Sequence, residues 1–440
     1  MSNDDYIKNT YGFQDENIII DKFDAIIINN IKHKRLFISN KNLPSDFCCP
    51  RCGSVDFIKH GSYQRTIRNL DISGFKSIII FNQKRFICKD CNKTFNEPNN
   101  FVESNCTISK QAKLKILEDC RKKKTFTDIA EDNNVSVSTT YNEFVSHIGE
   151  TRKKLTEVIC VDEFRAPLKK EIFSLIIGDP ISGKIIDCLE GRKQDFLIKY
   201  FNDIPIEEKK TVKYIVMDLY EPYKVIFKEI FPKAIIIADR FHVSRLVTNS
   251  LDKLRIRIMN IHKELKNDKS KDYYNMLKKD GKVLLANKYA NGDFYYEQVF
   301  YCSIKKRKVT LQERLEDLLR IDEALEFGYM LLQDFYRMMK FSSYEAIGQE
   351  LFEFCKRIDT DESIQKEFKH ISGTLRSWKD EIRNSFIINP ITKKRLTNGF
   401  IEGKNNLVKT IQRAAFGYKD FNTLRAKILY VDDKNKPYKN

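Results

Sequence analysis

The sequence predicts a multidomain α/β protein, and three observations support this expectation. Its 440 residues, of which 42% are hydrophobic and 12% aromatic, supply enough apolar surface for two or three packed domains. Two Cys-x-x-Cys motifs occur in the first hundred residues, and strand-like runs alternate with helical ones between residues 158 and 238. We divide the chain into five segments. Residues 1–100 contain N-terminal strands and a cysteine-rich module, and residues 101–152 form a small helical domain. Residues 153–243 form the first part of a mixed core, residues 244–390 a helical insertion, and residues 391–440 the final helices of the core.

The chain is strongly basic. Lysine and arginine total 78 against 61 aspartate and glutamate residues, a formal net charge of +17. Such an excess favours polyanions, and nucleic acid is the first partner it suggests, although the same excess can serve solubility alone. The polar, acidic N-terminus and the lack of a run of about 18 apolar residues predict a cytoplasmic protein with no signal peptide and no membrane span.

Four cysteines form two closely spaced pairs, Cys49-Pro-Arg-Cys52 and Cys88-Lys-Asp-Cys91. Two residues between ligands allow a tight turn to present both thiolates to one tetrahedral ion, and Gly53 gives the first turn its backbone freedom. Strand-like runs separate the two pairs. The pattern predicts a zinc ribbon with one structural Zn²⁺, and a thioredoxin-type redox pair or scattered core thiols are the alternatives.

Three short helices are predicted next, with the spacing of a helix-turn-helix. The first covers residues 109–117. Thr127 can cap the second, which the Asn-Asn pair at 133–134 interrupts, and Ser136 or Ser138 can cap the third. An ordinary helical hairpin would show the same short pattern.

Two groups of side chains in this region are candidates for DNA contacts. Cations after the first helix would neutralise phosphates, and polar side chains at the start of the third helix would read base edges in the major groove. The cations are Arg121, Lys122, Lys123 and Lys124, and the polar residues are Ser138, Thr139 and Tyr141.

Residues 158–238 have the strand order of a mixed core. Three strand-like runs come first, and helices then alternate with two more strands. This order matches a ribonuclease H-like α/β core. The strands are predicted at 158–161, 172–177, 185–186, 212–217 and 234–238, with helices at 194–201 and 223–230. From residue 241 to 383 helical periodicity recurs without a strong strand pattern, so we expect a long all-α insertion.

Acidic residues at two strand ends suggest a catalytic metal site. Asp162 and Asp218 each end a predicted strand, and in neighbouring strands the two carboxylates would converge at one edge of the sheet. A single such Asp is more often a turn residue, but with a third carboxylate the pair could hold two divalent cations. Oxygen ligands suit Mg²⁺, with Mn²⁺ as an alternative, and two such ions support in-line displacement at a phosphodiester.

Glu402 is the candidate third ligand. At about 100° per residue, four polar side chains share one helix face and an apolar face lies opposite them. The polar face would place the carboxylate at the metals and two cations along the phosphate backbone, although a plain amphipathic surface helix shows the same wheel. The polar residues are Glu402, Asn406, Lys409 and Arg413.

The order of these motifs resembles the ISL3-type insertion-sequence transposases over nearly the whole chain. The matching motifs are Cys49-Pro-Arg-Cys52, Cys88-Lys-Asp-Cys91, Val161-Asp162-Glu163-Phe164, Met217-Asp218, Ala238-Asp239-Arg-Phe-His242 and Asn398-Gly-Phe-Ile-Glu402-Gly-Lys-Asn-Asn406. The resemblance implies a DDE transposase with a ribonuclease H-like catalytic domain, whose zinc and helix-turn-helix region binds the terminal inverted repeats of its element. It also implies Mg²⁺-dependent DNA strand cleavage and strand transfer.

The resemblance also implies roles for individual residues. Two aspartates and a glutamate would form the triad that holds Mg²⁺, and a D-x-x-H element and an asparagine would support it. Glu163 is the alternative to the first aspartate. The triad is Asp162, Asp218 and Glu402, and the supporting residues are Asp239, His242 and Asn406.

The partners that the resemblance implies are double-stranded DNA, both as terminal inverted repeats and as target, and further copies of the chain. At least a homodimer on DNA is expected, because two ends must be held together. The implied location is the bacterial cytoplasm, in association with the nucleoid. Two other functions stay open at this point: a sequence-specific DNA-binding regulator with an inactive transposase-like domain, and a structure-selective nuclease.

Overall fold

The chain forms two compact units. The computed structural model describes residues 3–13, 15–28, 30–148, 152–168, 171–265, 267–302, 305–415, 418 and 420–433. The first unit comprises Met1–Thr151 and Leu407–Asn440, and the second comprises Arg152–Asn406.

A five-stranded sheet forms the N-terminal part of the first unit. The elements are α1 (Asn3–Thr10), β1 (Ile18–Ile28), β2 (Ile31–Asn40), β3 (Phe57–Ile72), β4 (Phe75–Cys88) and β5 (Thr94–Asn96). The strand order is β1-β2-β4-β3, with β5 beside β4, and only β2 and β4 run parallel. Leu36, Ile67 and Phe81 are fully buried on one face, as expected of a sheet that packs on one side.

Three helices follow, α2 (Lys110–Cys120), α3 (Phe126–Asp132) and α4 (Val137–His147). Of the two predicted caps for α4, Ser136 is the one that accepts from a backbone N–H of the helix. The predicted cap Thr127 is wrong. Thr125 caps α3, because its hydroxyl accepts from the Asp128 N–H at 2.9 Å while the Asp128 carboxylate accepts from the Thr125 N–H at 3.2 Å.

The second unit is built on a mixed sheet. Its elements are β6 (Val158–Leu168), β7 (Glu171–Asp179), β8 (Lys184–Leu189), α5 (Gln194–Asn202), α6 (Ile206–Lys209), β9 (Tyr214–Met217), α7 (Glu221–Ile230) and β10 (Ile235–Ala238). The strand order is β10-β9-β6-β7-β8, in which β10, β9 and β6 run parallel and β7 and β8 extend the sheet antiparallel. The carboxyl ends of the three parallel strands therefore share one edge.

The segment after β10 is mostly helical but not all-α, so that prediction is wrong in one place. A two-stranded antiparallel hairpin, β11 (Val299–Cys302) and β12 (Arg307–Thr310), interrupts the helices. Each strand has four residues, mostly exposed, so the sequence lacks the apolar alternation of a half-buried strand. The helices are α8 (Arg240–Glu264), α9 (Asp268–Lys279), α10 (Gly281–Leu284), α11 (Lys288–Asn291), α12 (Asp293–Glu297), α13 (Leu311–Leu319), α14 (Glu323–Phe341), α15 (Ile347–Thr360), α16 (Gln365–Ser377) and α17 (Lys379–Asn384).

Two helices end the described chain, α18 (Gly399–Ala414) and α19 (Phe421–Asp432). In the first unit, Ala426 and Tyr430 of α19 pack on the core that α2, α3 and α4 share. The sequence assigns all of 391–440 to the mixed core, whereas the structure groups Leu407–Asn440 with the first unit. No helix within the described residues is long and apolar enough to cross a membrane.

Candidate active site and zinc centre

The four cysteines of the two Cys-x-x-Cys motifs converge, with all their sulfur atoms within 4.8 Å of one another. The Sγ atoms of Cys49 and Cys91 are 3.7 Å apart, and those of Cys52 and Cys88 are 3.6 Å apart. A tetrahedral ion with metal–sulfur bonds of about 2.3 Å requires sulfur separations of about 3.8 Å. The four thiols therefore fit one Zn²⁺.

Each motif forms a tight turn that aims backbone N–H groups at the sulfurs. The Gly53 N–H donates to the Cys49 carbonyl at 2.8 Å, and the Asn92 N–H donates to the Cys88 carbonyl at 3.0 Å. Both turn residues have positive φ, 76° for Gly53 and 55° for Asn92. Hydrogen bonding from the Arg51 N–H lowers the pKa of Cys49 to about 7, which favours the thiolate that binds metal. Four phenylalanines pack beside the cluster; they are Phe47, Phe57, Phe86 and Phe95.

The strand register of the second unit brings three aspartates to one edge of the sheet. Cys160 of β6 pairs with Val216 of β9, and Met217 of β9 pairs with Ala238 of β10. Two residues beyond the Cys160–Val216 pair, β6 and β9 reach acidic side chains at equivalent positions, and one residue beyond the Met217–Ala238 pair the same holds for β9 and β10. They are Asp162, Asp218 and Asp239.

His242 joins two of these aspartates through a single ring nitrogen. Its Nδ1 lies 2.9 Å from Asp218 Oδ1 and 3.0 Å from Asp239 Oδ2. Hydrogen bonding to Asp218 and Asp239 raises the pKa of His242 to about 10, so the ring is an imidazolium at neutral pH. Asp239 is only 5% exposed and also caps α8 by accepting from the Phe241 N–H at 3.3 Å. Asp239 therefore has a structural role as the cap of α8 and an electrostatic role as a partner of the His242 ring.

Asp162 lies in a desolvated position beside Asp218. Burial and the Asp218 charge raise the pKa of Asp162 to about 6. The Glu163 N–H donates to Asp162 Oδ1 at 2.7 Å, and Asn405 Nδ2 donates to Asp162 Oδ2 at 2.7 Å. A cation placed here would relieve the repulsion between the two carboxylates.

Glu402 lies exposed in the first turn of α18, where the helix dipole favours a carboxylate. Asn398 anchors this turn by donating from Nδ2 to the Val161 carbonyl at 3.1 Å, one residue before Asp162. Gly178 of β7 allows the Phe400 ring to approach, since a Cβ at that position would lie 2.5 Å from it. These contacts hold the start of α18 on the sheet.

A large cavity of about 1010 Å³ joins Asp162, His242 and Glu402. The structure thus brings Asp218, Asp239 and His242 into one tight cluster, and places Asp162 and Glu402 on the wall of one cavity. Cationic and polar side chains of α8 and of the helical segment after it also line this cavity, which the sequence did not indicate. They include Arg240, Arg245, Asn287, Tyr336 and Lys340.

Two other residues predicted for the site, Glu163 and Asn406, make contacts that differ from those expected. The Glu163 carboxylate is engaged by Arg192 Nη1 at 2.8 and 2.9 Å and by the Tyr223 hydroxyl at 2.7 Å. Asn406 is exposed, whereas its buried neighbour Asn405 contacts Asp162. The signal that could have found Asn405 is an amide on the otherwise apolar face of the helix, beside Ile401 and Val408.

The predicted phosphate-binding cations of the helix-turn-helix are partly engaged within the first unit. Lys122 pairs with Asp119 and Lys124 with Asp132, each at 2.5 Å. The Arg121 guanidinium lies over the Tyr430 ring, 5.1 Å from its centroid. Lys123 is exposed, as are Lys409 and Arg413 of α18.

The predicted base-reading residues lie at the start of α4. Ser138 is exposed, and the Thr139 hydroxyl lies 2.8 Å from the hydroxyl of the cap Ser136. The Tyr141 hydroxyl lies 3.2 Å from the Thr423 hydroxyl of α19. This contact ties the recognition helix of the predicted motif to the C-terminal helix.

Comparison with known proteins gives three matches. A family model of the ISL3 type, described as transposase, matches residues 159–428. A second model, described as the zinc-finger of transposase IS204/IS1001/IS1096/IS1165, matches residues 45–91. The chain is also 20% identical over 390 residues to the transposase for insertion sequence element IS1001 of Bordetella parapertussis, over 84% of this chain and 85% of that protein.

Proposed function

This chain belongs to the ISL3 family of transposases, and from that premise we propose that it is a DDE transposase with a ribonuclease H-like core. It would bind the terminal inverted repeats of its own insertion sequence and catalyse Mg²⁺-dependent strand cleavage and strand transfer. The common register of Asp162, Asp218 and Asp239 at one sheet edge carries this proposal, because it concentrates oxygen ligands where two parallel strands end.

The strand order supports the ribonuclease H-like assignment. Three strands joined in succession, β6, β7 and β8, are followed by two parallel strands, β9 and β10, which are added on the other side of β6. Catalytic residues then come from the end of β9, the middle of β6 and helix α18. A similar fold alone would not define the reaction, so the proposed chemistry depends on the named carboxylates.

Asp162, Asp218 and Glu402 are the residues that would hold two Mg²⁺ ions, or Mn²⁺ in their place. Their donor set is made of carboxylate oxygens, which suits hard divalent cations. Bound there, the ions would activate a water or a DNA 3′-hydroxyl and would stabilise the leaving oxygen of an in-line displacement. Asn405 fixes the orientation of Asp162, and the Asn398 contact fixes the start of the Glu402 helix.

Asp239 and His242 act as positioning residues in this proposal. The imidazolium holds Asp218 by a 2.9 Å contact, and Asp239 in turn holds the ring. This arrangement keeps Asp218 oriented at the sheet edge. Asn406 stays a predicted supporting residue, exposed on α18 beside Lys409 and Arg413, which would track the phosphate backbone.

The first unit would recognise the element ends. The zinc ribbon is a rigid module, and α4 would enter the major groove with Ser138, Thr139 and Tyr141 at its start. Lys123 and its neighbours would contact phosphates. Because two ends must be held together for joining, we expect at least a homodimer on DNA, with target DNA as a further partner and the bacterial nucleoid as the place of action.

Cleavage of a labelled duplex that carries the element's terminal repeat tests the proposal. With Mg²⁺ or Mn²⁺ the unaltered protein should cut at the element end. Asp162→Asn, Asp218→Asn and Glu402→Gln should each abolish cutting while end binding is retained, since the amides remove charge at nearly equal volume. Asp195→Asn, an exposed carboxylate at the start of α5, is the matched control. End-specific binding without cutting by the unaltered protein would instead fit the regulator.

A further inference from the structure

A small cavity of about 380 Å³ adjoins the carboxylates and shares Asp162 and His242 with the large cavity. The two cavities also share Arg245 and Asn249, and the walls that belong to the small cavity alone include Asp218 and Tyr220. Cavities of this size enclose one small molecule rather than a duplex. Asp162, where the proposed reaction takes place, also lines the small cavity. The occupant of this cavity must therefore be compatible with DNA bound at Asp162.

Tyr220 presents an aromatic ring to this cavity. Tyr220 is 38% exposed as a residue, whereas Tyr223, which also lines the cavity, is only 3% exposed. The two rings meet edge to face, with centroids 4.8 Å apart and an angle of 77° between their planes. Tyr223 therefore supports the Tyr220 ring from its edge.

A charged network fixes this aromatic wall in place. The Tyr223 hydroxyl donates to Glu163 Oε1 at 2.7 Å, and Arg192 donates to both oxygens of the same carboxylate. The Arg192 guanidinium lies 5.7 Å from the Tyr220 centroid and 4.9 Å from that of Phe173. Glu163, immediately after Asp162, thus holds a pre-organised aromatic surface beside the metal site rather than contributing its own carboxylate to that site.

Polar groups complete the cavity on the side of α8. Arg245 is exposed and forms no hydrogen bond or ion pair with another described residue, so its guanidinium is available to a ligand. Asn249, one turn further along α8, is exposed on the same cavity. A flat aromatic surface, a cation and an amide are the groups that bind a stacked base, its phosphate and its hydrogen-bonding edge.

We propose that the small cavity binds one nucleobase of the DNA next to the scissile phosphate, unstacked from the duplex and stacked on Tyr220. Arg245 contacts the phosphate that follows this base, and Asn249 contacts the base edge. This inference rests on the proposed function, since it takes the carboxylates at Asp162 as the place where DNA is cut. It adds a specificity-determining subsite to that reaction.

Fluorescence of 2-aminopurine tests the position of the base. The probe is placed in turn at each nucleotide flanking the cleavage position in the terminal-repeat duplex, with Ca²⁺ in place of Mg²⁺ to prevent cutting. We expect a fluorescence increase of several-fold at one position when the base leaves the stack. Tyr220→Ala should change this signal, whereas Tyr301→Ala, a 63% exposed tyrosine on β11, should not. No increase at any position, or the same signal with Tyr220→Ala, overturns the proposal.

Cleavage kinetics distinguish a stacking role from a structural one. Tyr220→Ala should slow cutting about 10-fold to 100-fold, the equivalent of one lost base–aromatic stack, and Tyr220→Phe should restore it. An abasic site at the identified nucleotide should recover much of the rate of Tyr220→Ala, because no base then has to be unstacked. A rate for Tyr220→Ala equal to that of the unaltered protein refutes the subsite and leaves the proposed function intact. Absence of cutting by the unaltered protein refutes the proposed function itself.

Discussion

Asn405 of α18 donates a 2.7 Å hydrogen bond to Asp162 of β6, and these two residues lie 243 positions apart in the chain. A second bond from the same Nδ2 reaches the Glu163 carbonyl at 3.3 Å. Asn405 is buried on the side of the helix that packs on the sheet, whereas Glu402, one turn earlier, is exposed. The helix therefore contributes a carboxylate at its exposed side and a positioning amide at its buried side.

Replacing this amide should impair the site without removing a metal ligand. Asn405→Ala removes a hydrogen bond to a charged group, worth about 1.5–3 kcal/mol, so cleavage should fall about 10-fold to 150-fold. Asn406→Ala, the exposed neighbour, should stay within about twofold of the unaltered rate. Single-turnover cleavage of the terminal-repeat duplex measures both. The opposite ranking of the two variants would favour the role that the sequence assigns to Asn406.

The sequence was sufficient to predict those features that depend on local spacing. Two residues separate the cysteines within each pair, and Asp218 directly follows the last residue of a strand, so turn and strand patterns alone located both. Asn405, Lys340 and Tyr430 were missed because their roles depend on contacts between distant segments. Periodicity shows that a helix face is apolar but does not show which partner it meets.

Divalent-ion binding should strengthen as the pH rises through about 6. Burial and the Asp218 charge raise the pKa of Asp162 to about 6 from its usual 3.8, so a proton competes with the cation below that pH. Each unit of pH below 6 should weaken binding by up to about tenfold, the limit for release of one proton. Mn²⁺ binding followed by electron paramagnetic resonance at pH 5, 6 and 7 measures the slope. Asp162→Asn should flatten it, and an unchanged slope in that variant would contradict the assignment.

Without metal, the second unit should lose stability as the pH rises from about 7 to 10. Hydrogen bonds to Asp218 and Asp239 raise the pKa of His242 to about 10 from 6.5. The stabilisation that these hydrogen bonds provide is complete below about pH 6.5, and it disappears as the pH rises through the pKa of His242 in the folded protein. Urea unfolding in chelator at pH 7, 8 and 9 should show a falling midpoint. His242→Gln should remove this dependence, and His262→Gln, another histidine of α8, should keep it.

Zinc should be held at one ion per chain by the four cysteines of the ribbon. Cys49→Ser and Cys88→Ser each remove one of four thiolates that surround a site of tetrahedral size, so metal content and end binding should both fall, because zinc binding is coupled to folding of the module. Cys48→Ser is the matched control, since this adjacent thiol lies outside the cluster. Elemental analysis with a mobility-shift assay checks both outcomes. Full zinc content in both ligand variants would contradict the ligand set.

The C-terminal helix should be required for the fold of the helix-turn-helix. Tyr430 packs edge to face on the fully buried Phe144, with ring centroids 5.7 Å apart, and Lys427 Nζ donates to the Cys120 carbonyl at 2.6 Å. Tyr430→Ala leaves a void beside this core and should lower the free energy of unfolding of the first unit by about 2 kcal/mol. End binding near the unfolding temperature should weaken with it. Asn422→Ala, on the exposed side of α19, should change neither quantity, and equal stability of the two variants would show that α19 does not support this core.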